Sequence, residues 1–84
     1  LAAAMADSAT GAAVSTTLGA GERISTVDLQ VAFHRAVDLD GATVEAVGEV
    51  VHRGRRLAHA DATLRVDDRV VVTARAVFAV FDRR

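Results

Sequence analysis

The apolar periodicity of this 84-residue chain changes once, at the segment "LGAGE" (Leu18 to Glu22). Ahead of it, Leu1 to about Thr17 is Ala-rich and reads as one helix, with Leu1, Met5, Ala9, Ala12 and Ala13 on a buried stripe. Behind it the period is two almost to the last residue. A chain that is helical once and strand-like thereafter has few ways to bury its apolar residues. The helix must cover one face of an antiparallel sheet, an α+β layout. Gly11 inside the helix costs about 1 kcal/mol relative to alanine, which predicts a close approach at that point.

Four strands follow from the alternation. In "RISTVDLQVAF", Ser25, Val27, Leu29, Val31 and Phe33 fall on one face, and Ile24, Thr26, Asp28, Gln30 and Ala32 on the other. "AVDLDG" (Ala36 to Gly41) is a loop. "TVEAVGEVVH" (Thr43 to His52) is the second strand, with Gly48 as a bulge or close-packing point. "RGRR" turns the chain at Gly54. In "LAHADATLRV" (Leu57 to Val66), Ala58, Ala60, Ala62, Leu64 and Val66 face inward, and His59, Asp61, Thr63 and Arg65 outward. Asp67 and Asp68 make a tight turn into the last strand, Arg69 to Phe81, and the "DRR" tail is solvated. The last three strands form a meander.

Composition narrows the function classes. The chain suffices for one domain, residues 1–84, and burial at this size is marginal enough to favour oligomerisation. With no cysteine, disulfides, thiolate metal ligands and a thiol nucleophile are excluded. A net charge of −1 argues against nonspecific nucleic-acid binding, which needs a basic face. No stretch approaches the ~18 apolar residues of a membrane span. The first residues lack the basic region of a signal peptide, so a cytoplasmic location is expected. Because the pattern is already running at Leu1, a further N-terminal segment is expected before it.

Few residues are candidates for chemistry. Asp7 is the one carboxylate in the helical run, and its neighbours one turn away, Ala3, Ala4, Thr10 and Gly11, leave room for a ligand beside it. Equally open is a cap for a helix beginning at Ser8, or a solvated side chain. His34, His52 and His59 lack metal-ligand spacing. There is no Gly-rich phosphate loop and no G-x-S-x-G elbow. "HRGRR" (His52 to Arg56) sets three arginines around a glycine turn, which is either an anion site or a basic, solubilising hairpin tip.

In order and spacing, "LAAAMADSATGAAVS", "STVDLQVAFHRAV", "VVHRGRRLAHADATL" and "VVVTARAVFAVF" resemble the PaaI-like branch of the hotdog-fold acyl-CoA thioesterases, in the 4-hydroxybenzoyl-CoA thioesterase superfamily. The resemblance covers essentially the whole chain. It implies a long central helix on a curved antiparallel sheet, with an N-terminal strand and a His-Gly-Gly type turn ahead of Leu1 that would supply the oxyanion donor. It implies that Asp7 is the catalytic carboxylate, as general base or nucleophile, and that Thr26 orients the attacking water. It assigns His52, Arg53, Gly54, Arg55 and Arg56 to coenzyme A. Where the family commonly has proline after the "TVDL" strand, this chain has Ala36.

The activity so implied is hydrolysis of an acyl-CoA thioester without metal or cofactor, coenzyme A being part of the substrate. A homodimer or homotetramer is implied, with no nucleic-acid or membrane partner, and the edge character of "TVDLQVAF" suits pairing with a second copy. Two alternatives stand beside it. One is a non-catalytic hotdog module that binds acyl thioesters or dimerises. The other is a hotdog dehydratase, which needs a histidine in a motif that none of the three here occupies.

Overall fold

The computed structural model describes residues 2–35 and 43–82. They form helix α1 (Ala2–Ser15) and strands β1 (Glu22–Phe33), β2 (Val44–Arg53), β3 (Leu57–Val66) and β4 (Arg69–Asp82). Leu1 of the expected stripe and the expected loop from Ala36 to Gly41 lie outside the described residues. The sheet is antiparallel throughout, in the order β1-β4-β3-β2, so β2 to β4 are the meander and β1 joins it beside β4. Asp67 and Asp68 turn β3 into β4 at φ 51° and 64°. Two successive left-handed residues are what a type I′ hairpin turn requires, and aspartate tolerates that region better than most residues. This single helix on an antiparallel sheet is the layout that the resemblance implies.

The core lies between α1 and one sheet face. β3 contributes Ala58, Ala60, Ala62 and Leu64, as its alternation predicts, and β4 contributes Val72, Ala74, Ala76, Phe78 and Val80. Phe78 and Leu64 are almost wholly buried, each contributing roughly 2–3 kcal/mol of transfer free energy. The small residues along β3 and β4 let the helix settle close to the sheet.

The helix turns a different face to the core than expected. Its buried row is Ala6, Thr10 and Val14, one residue every four. Met5, Ala9 and Ala13 flank that row half-buried, and Ala12 is exposed. Small residues all round a helix define no strong apolar stripe, so the sheet chooses the face. The choice is made at Gly48 of β2, where a β-carbon would stand 2.1 Å from the Ala9 carbonyl oxygen. At Gly11 nothing lies within 4 Å of that position, so the close approach expected there occurs at Gly48 instead. The hydroxyl of Thr10 is buried but satisfied, donating to the Ala6 carbonyl at 2.9 Å.

β1 departs from its expected faces for a local reason. Thr26 pairs with Phe78 and Asp28 with Val77, so Val27 is an extra residue, a β-bulge. The phase of the strand flips across it. Ile24 packs on the core before the bulge, and Leu29 and Val31 pack on it after, while Val27 is 61% and Phe33 68% exposed. The expected face containing Ser25, Val27 and Leu29 therefore does not exist as one surface. Similar register shifts mark β2 between Val50 and His52 and the β3–β4 pair near Val71. Bulges increase local twist, and three of them curl the sheet around α1. No helix among the described residues is long and apolar enough to cross a membrane.

Candidate active site and the arginine turn

Asp7 lies within α1, five residues past its first described residue, so it does not cap a helix starting at Ser8. Its side is half-buried and turned toward β1. There Thr26 Oγ1 donates a hydrogen bond to Asp7 Oδ1 at 3.0 Å, across 19 residues of sequence. The bulge at Val27 makes this contact possible. With Thr26 on the helix-facing side, and Leu29 on the same side beyond the extra residue, β1 offers both a hydroxyl to Asp7 and apolar side chains to the core.

The arrangement suits proton transfer at a water. One carboxylate oxygen is held by Thr26, which fixes the carboxylate plane, and the other oxygen is free to accept from a water molecule. The hydroxyl keeps its lone pairs and can take a hydrogen from the same water. The pair is open to solvent, and the empty space over Gly11, one turn along the helix, leaves the adjoining face clear.

The arginine turn lies toward the other end of the helix. From Asp7 to the last helical residue, Ser15, is eight residues, about 12 Å of rise. Gly54 N–H closes the turn on the Leu57 carbonyl at 2.8 Å, and Val80 N–H donates to the Arg56 carbonyl at 2.7 Å, tying the turn to β4. A β-carbon at Gly54 would come within 3.0 Å of the Leu57 oxygen, so the tight closure accounts for glycine there. Arg55 and Arg56 are exposed and border an open depression of about 740 Å³, together with Arg53, Glu22 and Phe81.

The five turn residues do not behave alike. Arg53 is engaged within the protein. Its Nη2 pairs with Glu22 Oε1 at 2.9 Å, its Nε donates to Thr17 Oγ1 at 3.0 Å, and its Nη1 donates to the Gly54 carbonyl. His52 points to the outer sheet face, where it meets His59 edge to face at a ring-centroid distance of 6.0 Å. Glu22 was not among the sequence candidates. It also accepts the Gly19 N–H at 2.7 Å. That bond, assisted by Arg53 and opposed by desolvation, holds the Glu22 carboxyl below its usual value. The available signal was its place directly after the two glycines of "LGAGE", where a carboxylate can bond back to the free amides of a turn.

Comparison with known proteins places the chain and its fold among relatives. A family model described as the thioesterase superfamily matches residues 1–73. No curated protein matches the chain significantly. Solved structures match it well. A Bacillus halodurans protein crystallised with CoA aligns at TM-score 0.85 and 24% identity, covering 94% of this chain and 55% of its own. A candidate thioesterase related to phenylacetic acid degradation, from Ralstonia eutropha JMP134, aligns at TM-score 0.84 and 29% identity, covering 90% and 56%. A Haemophilus influenzae thioesterase aligns at TM-score 0.82 and 18% identity, covering 90% and 52%. The chain thus spans a little over half the length of these structures.

Proposed function

The chain belongs to the thioesterase superfamily, and from that membership we propose that it hydrolyses acyl-CoA thioesters to a free acid and coenzyme A. The observation that carries the reading is the hydrogen bond of Thr26 to Asp7, which joins a carboxylate and a hydroxyl across α1 and β1 at a place open to solvent. Asp7 acts as general base. Its free oxygen takes a proton from a water that Thr26 helps to orient, and the water oxygen bonds to the thioester carbonyl carbon. When the tetrahedral intermediate collapses, the carbon–sulfur bond breaks and the thiolate leaves with its electron pair, taking up the proton from Asp7. In the variant route Asp7 attacks the carbonyl itself and water then hydrolyses the mixed anhydride.

Coenzyme A as the carrier is supported by the spacing of the two regions. The carboxylate and the arginine turn are separated by most of the helix length, which calls for a substrate whose reacting carbon sits at the end of a long arm. Guanidinium groups are well matched to the phosphates at the arm's far end. A protein alike in fold was crystallised with CoA, which agrees with this assignment. Self-association also fits. β1 pairs only with β4 among the described residues, and exposed Val27 lies next to Thr26 of the Asp7–Thr26 pair, so a second copy paired there would both cover the edge and flank the pair.

The test is thiol release by the full-length protein from a panel of aryl- and aliphatic-CoA substrates. Asp7→Ala is expected to lower kcat by ~10²-fold or more while the fold is retained. Near-normal turnover in that variant would leave a binding or dimerisation module as the better reading.

A further inference from the structure

The structure assigns to Glu22 and Arg53 a role as positioning residues: together they latch the arginine turn to the end of α1, so that Arg55 and Arg56 are the pair left to bind phosphate. This rests on the reading of the turn as the coenzyme A site. Every nitrogen of the Arg53 guanidinium is used, on Glu22, Thr17 and the Gly54 carbonyl. Each acceptor is itself anchored. Glu22 Oε1 holds the Gly19 amide, and Thr17 Oγ1 donates to the Val14 carbonyl at 2.6 Å in the last turn of α1. The side chain thus joins the β2–β3 turn, the helix terminus and the start of β1. Both partners are only about a quarter exposed, which limits competition from water.

By contrast, the side chains of Arg55 and Arg56 make no hydrogen bond or ion pair with described residues, although the backbone beneath them is pinned at Gly54 and Arg56. Charge follows the same division. Glu22 borders the depression, and a bare carboxylate there would repel a phosphate. Pairing with Arg53 cancels it, leaving two guanidinium groups against one further carboxylate at the rim, Asp82 at the end of β4.

The direction of one effect separates this role from direct binding by Arg53. If Arg53 were a phosphate ligand held back by Glu22, then Glu22→Ala would release it and lower KM for acyl-CoA. As a latch, Glu22→Ala raises that KM by about tenfold with kcat within about twofold. Arg53→Lys keeps the charge but not the fork, so it fails to restore a low KM, whereas a direct phosphate contact would largely survive it. A short acyl-N-acetylcysteamine thioester, which lacks the nucleotide, reacts equally with wild type and both variants.

The measurement is steady-state kinetics on the full-length protein for Glu22→Ala, Arg53→Lys, the double variant, Arg55→Ala and Arg56→Ala, with the rate of tryptic cleavage after Arg55 and Arg56 followed in parallel. Faster cleavage in Glu22→Ala, a raised KM for acyl-CoA alone, and a double variant no worse than the singles are the expected results. Unchanged cleavage, or a lowered KM in Glu22→Ala, overturns the latch. If Arg55→Ala and Arg56→Ala raise KM while Glu22→Ala does not, the latch falls and the coenzyme A site stands. If none of them moves KM, the coenzyme A site itself is wrong and the positioning role goes with it.

Discussion

At Glu22 one carboxylate oxygen meets both a backbone amide and a guanidinium, and the consequence is a measurable titration. The folded protein holds this carboxyl below its ordinary value of 4.5, chiefly through the Gly19 amide. Its ionised form therefore contributes stability that is complete above the unfolded value and is lost as pH falls through the lowered folded one. In NMR titration the Gly19 amide shift should move with a midpoint below 4.5, and Arg53→Met should raise that midpoint. A midpoint at or above 4.5 with Arg53 intact would mean that these bonds do not persist in solution. Residues of this kind show where sequence reading stops. Asp7 and Thr26 could each be singled out through the family pattern, but their hydrogen bond to one another could not. That Arg53 would spend its donors on Thr17 and Glu22, 36 and 31 residues away, follows from the path of the chain and from no local spacing.

Elements were legible where their periodicity is unbroken. β3 runs from Leu57 to Val66 with the expected inward residues, since ten residues of strict alternation admit one phase. α1 was legible as a helix but not in its orientation, because alanine and serine on most sides give the sheet no preferred face to meet. What orients it is a contact between backbones, Ala9 against Gly48, which apolar pattern cannot reveal. Alanine at Gly48 must therefore displace helix or strand, and the expected loss is at least about 2 kcal/mol in urea unfolding. Gly11→Ala is the matched control, for it enters open space and should gain up to about 1 kcal/mol from helix propensity. Equal effects of the two substitutions would show that α1 does not sit as described.

For the molecule as a whole, curvature and open edges decide what one copy can do alone. Bulges at Val27, Val51 and Val71 bend the sheet round a helix of only fourteen residues, and the Asp7–Thr26 pair comes to lie beside an unpaired strand edge. The layered α+β plan was readable from the change of period alone, but not which residue in β1 is supernumerary, because Val27 falls in phase with Leu29, Val31 and Phe33 and so continues the apolar alternation without a break. That residue has an unusual place in the chain's tolerance of change. Being 61% exposed in one copy, it makes few contacts within the chain that a replacement would lose, so Val27→Ser should leave the urea-unfolding midpoint near wild type. Deleting it would leave Thr26 opposite Phe78 and Asp28 opposite Val77 as consecutive pairs, so Leu29 and Val31 would keep their inward places in a regular ladder. What the deletion removes is the added twist of the bulge. Circular dichroism should therefore show the deletion protein folded, while thiol release should fall because β1 no longer bends toward Asp7; an unchanged rate would show that this bend has no part in cleavage. Val27 matters as one residue too many, and a gap at this place in an otherwise similar chain would mark a straighter edge with the same inward face.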